Sequence, residues 1–75
     1  SYKDARELDE LPGRLDALAS EIAKLETRLA DSGLFARDRN GFETSAARLD
    51  VARAELNAAE ERWLELESLR EELAK

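Results

Sequence analysis

The sequence predicts an all-α fold, a two-helix antiparallel intramolecular coiled-coil hairpin with a short or kinked helical segment before Pro12. Three observations carry that expectation. Leu8, Leu11, Leu15, Leu18, Ile22, Leu25 and Leu29 recur at alternating spacings of 3 and 4, which draws the narrow apolar seam that a coiled coil buries. A second stripe follows at the same period: Phe42, Leu49, Leu56 and Trp63 fall every seven residues, with Ser45, Ala52, Ala59 and Leu66 between them. Between the stripes lie Gly33 and Gly41, and a connection of about ten residues makes consecutive helices antiparallel neighbours.

The first element begins with good helix formers and an early acid, Asp4, where the helix dipole favours it. Pro12 lacks a backbone donor and biases Leu11 away from the α region. Either a short helix ends there and a new one starts, or a long helix kinks. The leucine phase runs through Pro12 unbroken, which favours a kink or a tight restart along nearly the same axis. From Arg14 to Ala30 there is no breaker, and the helix is expected to span about 3–31.

A loop is expected over about 32–40, with Gly33 able to adopt the left-handed conformation that closes helices. Leu34 and Phe35, two large apolar residues inside that loop, predict that it folds back over Leu29 and Phe42. The second long helix, about 41–74, has two candidate starts. Asp38 could cap it, or Asn40 could cap with Glu43 three residues later as a capping box. Its seam is large on one row and small on the other, which suits the all-large stripe of the first helix.

Facing the stripes sets Leu25 beside Leu49, Ile22 by Ala52, Leu18 by Leu56, Leu15 by Ala59, Leu11 by Trp63 and Leu8 by Leu66. That register brings like charges together on the flank: Arg28 with Arg48, Glu21 with Glu55, Arg14 with Arg62. Sliding one heptad would pair Arg28 with Glu55 and Glu21 with Arg62, but it sets Leu11 against Arg70 and strips apolar burial. Apolar burial at about 25 cal/mol per Å² outweighs a few exposed ion pairs, so the first register is preferred. A monomer is favoured, with a dimer of hairpins as the rival assembly.

Composition restricts what such a hairpin can do. With 75 residues the chain forms a single domain over residues 1–75, too short for a deep core around an enclosed active site. It holds neither Cys nor His, so thiolate or imidazole metal sites and the usual general base are excluded. Gly13, Gly33 and Gly41 are the three glycines, and none opens a Walker loop. No catalytic or metal-ligating residue is expected, and no small-molecule substrate. No stretch reads as a membrane span.

A net charge of -6 opposes general binding to nucleic acid, yet the charge is uneven. Residues 24–53 carry six basic and five acidic side chains, while the remainder carries six basic and thirteen acidic. The loop end is therefore near neutral and the base of the hairpin strongly acidic. Any phosphate contact falls to Arg37 and Arg39 on the loop, with Arg28 and Arg48 beside them.

The segment from Ser1 to Pro12, Ser-Tyr-Lys-Asp-Ala-Arg-Glu-Leu-Asp-Glu-Leu-Pro, resembles the opening of the C-terminal coiled-coil domain of Uup-type ABC-F ATPases. Ala30-Asp31, Phe35-Ala36-Arg37-Asp38 and the run from Glu60 to Glu67 extend the similarity over essentially the whole chain. Ser32 and Arg39 stand where that family's loop usually carries proline, which implies a looser turn. The resemblance implies a fragment of a cytoplasmic protein with two ATP-binding cassettes, ATP being bound upstream and no cofactor within this segment. It implies a non-catalytic accessory domain that contacts nucleic acid, DNA or ribosomal RNA, through its loop end, and that also meets the parent ATPase domains. The alternative is a protein-interaction or spacer arm with no nucleic-acid binding.

Overall fold

The computed structural model describes the whole chain, Ser1–Lys75, and it is a helical hairpin. Helix α1 spans Tyr2–Leu29, a four-residue α2 spans Leu34–Arg37 within the connection, and α3 spans Arg39–Ala74. The two long helices lie side by side in a rod of 58 × 15 × 14 Å.

Helix α1 starts under Ser1, whose Oγ accepts the Asp4 N–H at 3.2 Å. It then runs continuously to Leu29 with Pro12 inside it, so a helix that ends at Pro12 and restarts is not the arrangement adopted. Pro12 costs one i→i−4 bond on an exposed surface, while its neighbour Leu11 is buried in the seam. Gly33 is a second difference from expectation. Its φ is -88°, and the backbone contains no positive φ. The left-handed closure is not used, because α1 is already capped at Ala30, where the Ala30 N–H donates to the Glu26 carbonyl and the Asp31 N–H to the Arg28 carbonyl, and Gly33 instead precedes α2. Of the two starts for α3, Asp38 is the cap: its carboxylate accepts the Gly41 N–H at 2.9 Å. Asn40 lies inside the helix, and Glu43 pairs with Arg39. A Cβ at Gly41 would collide with the Asp38 carboxylate and the Arg28 guanidinium, so glycine suits this capping geometry.

The core is a line. Leu11, Leu18, Ala52, Ala59 and Leu66 are buried in one cluster, with Leu8, Leu15, Ile22, Leu56 and Trp63 packed against it. Leu49 and Ser45 continue the buried row toward the loop, and Leu25, Leu29 and Phe42 are half-buried there. Leu34 is 1% exposed. It folds back under the loop as expected, whereas Phe35 is 49% exposed and touches Phe42 edge-on.

The ion pairs fix the register. Glu21 binds Arg48 on one flank of the seam and Glu26 binds Arg53 on the other. The two pairs are offset in opposite directions from the alignment that places Leu25 beside Leu49, and a heptad slip either way would pull one or the other apart. At the base, Leu8 and Leu66 line a common groove with Ser1 and Leu73, so the two ends finish level. Neither pair of the slid alignment forms: Arg28 binds Asp38 and Arg62 binds Glu7.

Candidate nucleic-acid interface at the loop end

The four arginines singled out by charge distribution are all near the loop, in unequal settings. Arg37 ends α2 and donates to Asp31 at 2.7 Å, with its side chain 61% exposed. Arg39 opens α3, pairs with Glu43 at 3.3 Å and is 72% exposed. Its guanidinium lies 5.2 Å over the Phe35 ring, within reach of a cation–π attraction. Arg28 is drawn inward, donating to Ser45 Oγ at 3.1 Å and to Asp38 at 3.3 Å. Through those two bonds it ties the end of α1 to the start of α3. Arg48 is further from the tip and binds both oxygens of Glu21 at 2.6 Å, plus Glu55 at 3.3 Å. The structure therefore gathers Arg39, Phe35 and Phe42 at the tip, holds Arg37 on Asp31 in the same turn, and places Arg28 and Arg48 along the interhelical contact.

The turn itself is held by carboxylates. Asp31 accepts the Gly33 N–H at 3.0 Å as well as the Arg37 guanidinium, and these bonds, the side chain first, hold its carboxyl below the ordinary aspartate value.

Below the tip runs an ion-pair ladder that residue-by-residue reading missed. Arg14 binds Glu55, Glu55 binds Arg48, and Arg48 binds Glu21. Nearer the base Arg62 binds Glu7, Asp4 and Glu65. Glu21 and Glu55 are the like-charged neighbours of the preferred register, and Arg48 bridges both. The signal was present in the strict alternation of Glu7, Arg14, Glu21 and Arg28 against Arg48, Glu55 and Arg62 at heptad spacing. All nine arginines of the chain are paired.

The two bidentate pairs shift their members. The Arg48 hydrogen bonds, against a smaller opposing desolvation, lower the Glu21 carboxyl, and Arg62 does the same for Glu7. Both guanidiniums are pushed up in return. A carboxylate with a lower pKa folded than unfolded binds fewer protons in the folded chain. Its contribution is present above the unfolded value, about 4.3 for Glu, and is lost as pH falls through the folded one. Melting temperature measured by circular dichroism should therefore drop on acidification below about pH 4.5. The drop should be smaller in a Glu7→Gln, Glu21→Gln double variant, which starts lower at neutral pH and has less to lose.

No group of three or more acidic side chains converges to hold a metal ion, and no helix is long and apolar enough to cross a membrane. An elongated helical hairpin held by a linear seam, with every arginine committed to an ion pair, is the class of domain these residues define. Comparison with known proteins gives it a place: the family described as ABC transporter C-terminal domain matches residues 1–68, and the chain belongs to that family. It is 47% identical over 74 residues to the ATP-binding protein Uup of Caulobacter vibrioides, covering 99% of this chain and 12% of that protein. Against the Uup of Escherichia coli it is 37% identical over 70 residues, covering 93% of this chain and 11% of that one. A Uup-like ATP-binding protein of Haemophilus influenzae is 37% identical over 67 residues, with 89% and 15% covered. The chain thus spans about a tenth of its curated relatives and corresponds to their C-terminal regions. No solved structure matches it significantly.

Proposed function

We propose that this domain is a non-catalytic arm of a cytoplasmic ABC-F ATPase that reaches nucleic acid, DNA or ribosomal RNA, with its loop end. ATP would be bound by upstream cassettes of the parent, whose domains the base of the arm would adjoin. The observation that carries this reading is the placement of Arg37 and Arg39 at the tip of a 58 Å rod, both exposed and both ion-paired only with exposed carboxylates. Exposed ion pairs are worth about 0–1 kcal/mol, so a phosphate can replace Asp31 or Glu43 at little cost. The acidic base would keep the rest of the rod off the same ligand, leaving contact at one end.

A second reading, a spacer or protein-interaction arm, is favoured by a different observation: every arginine already has a carboxylate within the chain, and the net charge is -6. Anisotropy titration against duplex DNA and structured RNA at low and moderate salt separates the two. On the first reading, Arg37→Ala with Arg39→Ala weakens binding several-fold and flattens the dependence on log salt by roughly 0.7–0.9 for each phosphate no longer neutralised. Binding with an unchanged salt slope would remove the tip from the interface, and absence of binding by the intact chain would leave the spacer arm.

A further inference from the structure

We infer, resting on the reading that the loop end meets nucleic acid, that Phe35 is a stacking platform for an unpaired nucleobase, with Arg37 and Arg39 placed to hold the adjoining phosphates. Leu34 and Phe35 are consecutive, yet the first is buried to 1% and the second left 49% exposed. Burial of Leu34 anchors α2 against the hairpin, so Phe35 projects from a pinned turn. Phe42 meets its ring at 5.3 Å and 89°, an edge-on contact that fixes the orientation of the ring. The Arg39 guanidinium, planar and cationic, lies 5.2 Å from that ring. A planar group is therefore already accommodated where a base would stack, and Arg39 is exposed enough to move to the far side of the base or to its phosphate.

The charge balance selects this mode of binding. Asp31, Asp38 and Glu43 surround the tip, and a chain of net charge -6 gains little from phosphates alone. Stacking on an aromatic ring does not depend on charge and tolerates any base. A paired base hides its faces within the helix, so the ligand class is single-stranded or looped DNA or RNA rather than uninterrupted duplex.

The test is anisotropy titration of the 75-residue chain with a labelled single strand, a stem with an unpaired loop, and a blunt duplex. The single strand and the loop should bind more tightly than the duplex. Phe35→Leu, which keeps an apolar side chain and whose folding a thermal melt verifies, should lose roughly tenfold on the single strand. Its duplex binding and salt slope should stay unchanged, and Phe35→Trp should keep the preference. Equal affinity for all three ligands, or a Phe35→Leu variant indistinguishable from the parent, overturns the stacking site while leaving nucleic-acid contact intact. Absence of binding to every oligonucleotide overturns both.

Discussion

Leu18→Ala should destabilise the hairpin by about 3 kcal/mol, within the 2–5 kcal/mol that deletion of a buried leucine side chain costs. Leu18 is 4% exposed and belongs to the cluster formed by Leu11, Ala52, Ala59 and Leu66. A two-helix rod has no second layer to collapse into the gap, since only eight of its 75 residues are buried. Stability at roughly 0.05–0.15 kcal/mol per residue leaves little reserve, so the variant should be partly unfolded near ambient temperature. Leu69→Ala, on a side chain that remains exposed near the end of α3, removes the same atoms where water already reaches them. It should shift the urea midpoint by only a small fraction of the Leu18→Ala shift, with the slope unaltered in both. Equal shifts would mean that the seam is not what holds the helices together.

The seam is readable in the sequence because it depends on spacing alone. Alternate steps of 3 and 4 put Leu11 and Leu18 on one line whatever the partner, and the short connection allows only one direction of return. The exposed tip is less readable, for two reasons. Leu34 and Phe35 are equally apolar and adjacent, so composition does not separate the residue that anchors α2 from the one left open; burial in three dimensions does. Glycine tolerates the left-handed region, which makes Gly33 the expected closure of α1, but α1 ends four residues before the glycine and the Asp31 side chain supplies the turn instead.

The flanking charges show a different limit. Pairing residues at the same level makes Glu21 and Glu55 a repulsive contact. An arginine side chain is long enough to serve a carboxylate one heptad away, and Arg48 satisfies both. The like-charge cost that would argue for the slid register is thereby removed, and with it the need to strip apolar burial. The same reach explains why tip arginines counted as candidates for phosphate are found on carboxylates: in a chain with 18 acids and 12 bases, a guanidinium near the surface usually finds an acid within its radius.

The small row of α3 yields the second large effect. Ala52 is 0% exposed and, in the register fixed by the ion pairs, lies by Ile22. Ala52→Leu forces a larger side chain between helices whose close approach depends on the small one, and should cost about 1–3 kcal/mol through strain and splaying. Ile22→Ala alone opens the same layer and should cost about 2 kcal/mol, less than a fully buried site because Ile22 keeps some exposure. Combining them returns the layer to one large and one small residue with the rows exchanged. The double variant should therefore be more stable than the two single effects add up to, by about 1 kcal/mol or more, in the range found for residues in contact. Leu29→Ala combined with Ala52→Leu is the comparison that decides, because Leu29 faces Ala52 only in the slid alignment. Urea titrations of these four variants and of Leu29→Ala alone should show coupling with Ile22 and simple additivity with Leu29; the reverse would move α3 along α1 by one heptad and break the Glu21–Arg48 pair.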